Sequence, residues 1–404
     1  MKQIFHIYNS CKGRVKTFLP FYLFALLLFQ SCRTDDIIVY AEDVDTGARS
    51  VASEVVGLYV LNEGNMGSNK CTLDFLDLSD QDSTIHYHRN IFAERNPSEV
   101  KELGDVGNDI QIYGSRLWLV INCSNKVEVC RARDAVKLGK VDIPNCRYVT
   151  FAGGYAYVSS YVGPVALGAT APRGMVYKVD TLTLQKVDSV VVGYQPEEMA
   201  VVGNRLYVAN SGGYRVPDYD RTVSVIDLRS MAVVDEIDVA PNLHRCRVDR
   251  YGQLWVTSRG DYYTAVSRLH WLRPDGRGQM QVGDSLDVAV SDMCIVGDSL
   301  YYIGTQFNYA TMRNERSSGI VDVRRHQVVS TSLSDSPEAA AMRMPYGIIV
   351  HPTGRDFYLM DAKNYVSSGE LLHFRRDGTF DYKVRTGDIP AHAVFLTAFG
   401  LNDK

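Results

Sequence analysis

The feature that most limits what this chain can fold into is a short strand, repeated along its length, with an aromatic residue among apolar neighbours. It recurs as Leu58-Tyr59-Val60, Leu117-Trp118-Leu119, Ala156-Tyr157-Val158, Leu206-Tyr207-Val208, Leu254-Trp255-Val256, Leu300-Tyr301-Tyr302 and Phe357-Tyr358-Leu359. Successive aromatics lie 59, 39, 50, 48, 46 and 57 residues apart, bracketing the roughly 40–50-residue repeat of propeller blades. The stretch from Met199 to Val239 shows one unit complete: four runs rich in Val, Ile and Tyr, separated by Gly, Asn and Asp. That is strand-and-turn chemistry, and a sheet of this size is not stable alone.

Six of the seven aromatic strands follow a tight turn such as Gly203-Asn204 or Gly297-Asp298; Leu58 does not. The strand missing there reappears at the other end. Ile389-Pro390 is followed by Ala391–Leu396, as Pro196 is followed by Glu197–Val202, and no second strand comes after it. The two ends are therefore expected to pair in one sheet, a closure that removes sticky edges. The expected fold is all-β, a seven-bladed β-propeller over residues 57–404 closed by pairing of the C-terminal strand with the first blade. Repetition of a small core lets so long a segment avoid the usual limit on single cores.

Residues 1–31 carry Lys2, Lys12, Arg14 and Lys16 ahead of an apolar run from Phe18 to Phe29. This is the anatomy of an export signal, too short to span a bilayer as a helix. Its Ser31-Cys32 end resembles a bacterial lipobox, which makes Cys32 the expected lipidation site and outer-membrane anchor. Residues 32–56 are polar and acidic and read as a tether, with Asp35-Asp36 similar to the surface-export tag of Bacteroidetes lipoproteins.

Lys plus Arg number 43 against 47 Asp plus Glu. No basic stripe of the kind nucleic acid requires is present, and no phosphate-cradling glycine loop. Six cysteines follow Cys32. Cys123 and Cys130 flank a hairpin and are placed to meet across it; buried free thiols are the other reading, since Cys130 and Cys294 sit in apolar strand patterns. His86 and His88 share a strand face, as a metal pair or as solvated histidines. Asp218 and Asp220 alone fall short of the 6–8 oxygens calcium takes.

In a propeller the loops after the second strands and the crossings between blades emerge on one face. There the chain gathers Tyr161, Tyr194, Tyr214, Tyr219, Tyr262, Phe307, Tyr309, Tyr346 and Tyr365 with Asn65, Asn125, Asn364, Arg259, His244 and His392. Rigid aromatic area with adaptable hydrogen bonding suits a ligand-binding surface. Asn62, Asn122 and Asn210 recur at one place in the repeat and read instead as turn residues. No nucleophile with its base and orienting group is recognisable around His244 or His392, so catalysis is not expected.

Val60 to Ser68 (VLNEGNMGS) with Leu73-Asp74-Phe75, Leu103 to Asp109 (LGDVGND), Asn122 to Val129, and Gly387 to His392 (GDIPAH) resemble the YncE-like propeller lipoproteins of Bacteroidetes. The resemblance covers about Gly57 to Phe395. That group includes surface propellers that capture vitamin B12 above a TonB-dependent outer-membrane transporter. The resemblance thus implies a corrinoid ligand, bound as cargo rather than as a cofactor, and a transporter partner at the cell exterior. A glycan or protein ligand, and a hydrolase or lyase working through His244 or His392, remain the other readings.

Overall fold

The computed structural model describes residues 42–45, 54–79, 84–99, 103–165, 167–308 and 312–398. The chain is a seven-bladed β-propeller. Among the described residues six sheets have four strands and one has five. Blade 1 contains Val55–Asn62, Thr72–Asp77 and Thr84–His88; blades 2 to 7 follow from Gly107–Tyr113 to Phe380–Asp388. In each the strands run up and down from the axis outward, because consecutive strands joined by short turns pair antiparallel.

The last strand, Pro390–Thr397, supplies the inner strand of blade 1. It runs antiparallel to Val55–Asn62 with Leu58 opposite Phe395, Tyr59 opposite Val394 and Leu61 opposite His392. Closure therefore follows the complementarity of the two chain ends. The repeated aromatics Tyr59, Trp118, Tyr157, Tyr207, Trp255, Tyr301 and Tyr358 are all buried, each at the centre of a second strand and packed between neighbouring blades. The same environment recurring seven times makes the sequence periodic.

Two differences from the sequence reading concern the N-terminal side. Within the stretch read as tether, Glu42–Asp45 forms a fifth strand on the outer edge of blade 1, pairing with Thr84–His88. The strand Val55–Asn62 also begins two residues before position 57. The acidic segment has no strand pattern of its own; an unpaired sheet edge supplies the missing hydrogen bonds. Cys32, the 1–31 signal and the remaining 32–56 positions up to 53 lie outside the described residues.

Blades lock together through close approach where the third strand of one meets the start of the next blade's inner strand. A Cβ on Gly174, in the third strand of blade 3, would lie 2.1 Å from Pro196 Cδ at the start of blade 4. Gly369 meets Pro390 in the same way, at 2.3 Å. Gly174→Ala is expected to destabilise the propeller by about 1–3 kcal/mol through overpacking, read as a lowered midpoint in thermal or urea unfolding. An unchanged midpoint would show that this joint yields without cost.

All six described cysteines are free; Cys71, Cys130, Cys146 and Cys246 are buried, and Cys123 and Cys130 are not joined. Among the described residues no group of three or more His, Cys, Asp or Glu is placed to hold a metal ion, His86, His88, Asp218 and Asp220 included.

Candidate functional site

The face where blade crossings and second-to-third-strand loops emerge is shaped by one repeated device. The residue before the inner strand adopts a left-handed conformation at Val106, Asn145, Gln195, Asn242 and Ile389, with φ from 42° to 62°. Its carbonyl accepts the N–H of the residue just after the second strand: Asn122, Tyr161, Ser211, Arg259 and Glu63 respectively, at 2.8–3.1 Å. Left-handed backbone disfavours β-branched residues such as Val106 and Ile389; here this bond holds it in place.

At their starts, six of the seven inner strands, these five and Pro345–Val350, shift register against their neighbours. In a regular strand adjacent side chains face opposite ways; a bulge re-aims one of them. Successive pairs such as Arg147-Tyr148, Glu197-Glu198 and His244-Arg245 are thereby both drawn into buried contacts around the axis. An axial cavity of about 510 Å3 lies below, lined by the inner strands of all seven blades, with Asp109, Glu198, Arg247, Asp292 and His392 on its wall.

Three of these carboxylates act as seam staples. Asp109 Oδ2 accepts the N–H of Val149 at 2.9 Å, Glu198 Oε2 that of Cys246 at 2.9 Å, and Asp292 Oδ2 that of Ile348 at 3.0 Å. Each joins one inner strand to the next blade's. Arg247 bonds Glu198 at 3.1 Å and Asp292 at 3.3 Å, and Arg245 meets Asp292 at 3.3 Å. Asp109 has no cation bonded to it among the described residues, and burial raises its pKa despite His392 nearby.

Above the staples sits a second, connected cluster. Arg147 donates Nε and Nη2 to Glu197 Oε2 at 3.2 and 3.1 Å, while the Tyr161 hydroxyl donates to Oε1 at 2.6 Å. Burial alone would raise the Glu197 carboxyl; Arg147, Arg259 and the Tyr161 hydroxyl outweigh it and the net shift is downward. His244 Nε2 lies 2.9 Å from the Tyr148 hydroxyl. Burial first, then Arg259 and Arg245, push the His244 pKa well below its ordinary value, so the ring is neutral at pH 7. On the opposite side Tyr346 donates to Glu63 at 3.3 Å, and His392 Nε2 lies 3.3 Å from the same carboxylate.

The residues singled out from sequence thus divide three ways. Tyr161, His244, Tyr346 and His392 belong to the polar floor; the first three are hydrogen-bonded, whereas His392 Nε2 approaches Glu63 without a hydrogen bond. Tyr214, Tyr262 and Tyr365 are exposed at the rim, with Tyr194, Tyr219 and Arg259 half-buried beside them. Rim and floor touch edge-on, Tyr214 on Tyr161 at 6.4 Å and Tyr365 on Tyr346 at 5.5 Å, and within the rim Tyr262 meets Tyr219 at 6.3 Å between ring centres. The Arg215 guanidinium lies 3.8 Å over the Tyr194 ring.

The asparagines hold turns. Asn125 Oδ1 accepts from Asn145 N at 2.7 Å, Asn364 Oδ1 from Val366 and Ser367 N at 3.0 and 2.8 Å, and the Asn65 carbonyl from Ser68 N at 2.9 Å. Phe307 lies in the long strand Ser299–Asn308, opposite Asn314, rather than in a loop; Tyr309 lies outside the described residues. Sequence reasoning passed over Arg147, Glu197, Glu198, Arg245, Asp292 and Glu63. Apart from Glu63, which follows the second strand of blade 1, their signal was charge near the head of inner strands.

No protein-family model matches this chain, and no curated protein matches it. Similar solved structures include a 6-phosphogluconolactonase-like protein of Bacteroides uniformis, at 10% identity and TM-score 0.59, over 85% of this chain and 100% of that one. A quinoprotein alcohol dehydrogenase-like protein of Bacteroides thetaiotaomicron matches at 10% identity and TM-score 0.56, over 85% and 79% of the two chains. Hydrazine synthase of Kuenenia stuttgartiensis matches at 15% identity and TM-score 0.56, over 73% and 94%. At such identities the likeness is one of fold.

Proposed function

We propose that this propeller is a lipid-anchored ligand-binding protein of the outer surface that captures a corrinoid and delivers it to a TonB-dependent transporter. The carrying observation is the division of the upper face: exposed tyrosines on the rim, and a floor whose charged groups are engaged with one another. Capture rather than turnover is supported by the state of its ionisable groups. His244 is neutral and bonded, and Glu197 is held by Arg147 and Tyr161. A group so engaged is poorly placed to exchange protons with a substrate.

A corrinoid suits this face because it is broad, apolar in its ring and fringed with amides. Tyrosine offers large rigid contact area with a hydroxyl at its edge. The family resemblance supplies the transporter and the anchor. Calorimetry of the full chain in detergent with cyanocobalamin is expected to show saturable one-to-one binding. Replacing Tyr214 and Tyr262 together by Ala should weaken it at least tenfold, about 1.4 kcal/mol. Absence of heat and of competition with any corrinoid would overturn the reading.

A further inference from the structure

Besides Arg215 over Tyr194, four arginines surround the mouth, and three of them donate side-chain hydrogen bonds. Arg147 bonds Glu197, Arg247 bonds Glu198 and Asp292, and Arg245 donates to the Ser291 carbonyl and the Tyr148 hydroxyl beside its ion pair with Asp292. Arg259 differs. Its backbone N–H bonds the Asn242 carbonyl, yet no hydrogen bond from its guanidinium occurs among the described residues. Its nearest charge is Glu197 Oε1 at 3.7 Å, too far for a hydrogen bond.

Glu197 has little left to give it. Oε1 already receives the Tyr161 hydroxyl and Oε2 both Arg147 donors. One buried carboxylate thus faces two guanidiniums, and neutral His244 beside them adds no charge. The Arg259 side chain is 35% exposed, against 6% for Arg245 and 18% for Arg147. It shares the loop between Leu254–Ser258 and Arg268–Pro274 with Tyr262, whose ring meets Tyr219. A guanidinium fork that makes no hydrogen bond among the described residues, at the edge of an aromatic rim, matches the geometry of an oxyanion.

We propose that Arg259 seats an anionic oxygen group, a phosphate diester or carboxylate, on a ligand whose flat body lies on the tyrosine rim. This deepens the capture reading and rests on it for the identity of the ligand. In cobalamin the group is the phosphate diester that joins the nucleotide to the ring.

Two arms test the seat. In the first, cyanocobalamin and dicyanocobinamide, which shares the ring and amides but lacks the phosphate diester, are titrated into wild type, Arg259→Gln and Arg259→Lys. Arg259→Gln should weaken cyanocobalamin at least tenfold and flatten its salt dependence. Cobinamide affinity should be unchanged, and Arg259→Lys should restore part of the loss. Equal cyanocobalamin affinity in wild type and Arg259→Gln would overturn the seat and leave the capture reading standing.

The second arm needs no corrinoid. Phenylglyoxal labelling of the full chain, read by peptide mass spectrometry, should modify Arg259 ahead of Arg147 and Arg245. Inorganic phosphate, or acetate if the seat prefers carboxylate, should protect it. If wild type binds neither corrinoid the capture reading fails, and this arm decides the seat: protection supports it, and labelling indifferent to both anions overturns it.

Discussion

A chain ending at Asp388 is expected to show no cooperative unfolding transition at 37 °C and to associate through blade 1. The strand Pro390–Thr397 contributes to two inter-blade cores at once. Phe395 and Ala393 pack with Leu58, Val60 and Tyr358 between blades 7 and 1, while Leu396 and Val394 pack with Tyr59, Leu61 and Ile110 between blades 1 and 2. Burial of these side chains contributes on the order of 5–10 kcal/mol, comparable with the whole stability of a typical domain. Its loss also strips one ladder from Val55–Asn62, whose Leu58 to Leu61 are fully buried, and exposes a long apolar edge. Calorimetry and light scattering read the result. A synthetic peptide spanning 389–398 should restore a transition when added in trans. A truncated chain that melts within a few degrees of the full chain, with no change in scattering, would show that the ring holds without its final strand.

Glu197→Gln is expected to cost roughly 3–5 kcal/mol, because it leaves Arg147 largely buried without its counter-charge. In a domain of this size that corresponds to a fall of about 5–10 °C in Tm. Tyr161→Phe removes one hydrogen bond from the same carboxylate and should cost less, about 1–1.5 kcal/mol. The pH dependence has a definite sign. The folded-state pKa of Glu197 is depressed, so its contribution is present above the unfolded value of about 4.3. It is lost as pH falls through the folded value. Tm curves of wild type and Glu197→Gln should therefore be separated near neutrality and converge in acid. Curves that stay parallel from pH 8 to pH 3 would assign the loss to packing rather than charge.

The architecture was legible because propeller blades repeat a single environment. Tyr59, Trp118 and Trp255 occupy equivalent buried positions, so their neighbours are apolar at each recurrence. The closing strand was legible for a related reason: Ile389-Pro390 repeats Gln195-Pro196, and each pair puts a left-handed residue ahead of an inner strand. The floor of the site was hidden by the same rule that revealed the strands. Strict alternation assigns Glu197 and Glu198 to opposite faces; only the register shift between Pro196 and Met199 re-aims them, and nothing local in the residues announces it. The asparagines misled in a different way. At Asn125 and Asn364 the side-chain oxygen accepts backbone N–H groups of its own or a neighbouring loop, which composition cannot distinguish from readiness to bind a ligand. Glu42–Asp45 needed a partner edge far away in the chain before it had any reason to be a strand.

Parity sets a limit on the carboxylate staples. They join blades 2 to 3, 4 to 5 and 6 to 7, and an odd ring cannot be divided into couples. Blade 1 is the remainder, and it is also the blade woven from both ends of the chain. Its two flanks are held differently: Asp74 accepts the Gly387 N–H of blade 7 at 3.1 Å, and the Glu63 carbonyl accepts the Gly107 N–H of blade 2 at 3.2 Å. A side-chain carboxylate holds each of the three couplings, whereas a backbone carbonyl holds the bond between blades 1 and 2. Side-chain substitution can therefore cut any of the three couplings, while the bond between blades 1 and 2 has no side chain to remove.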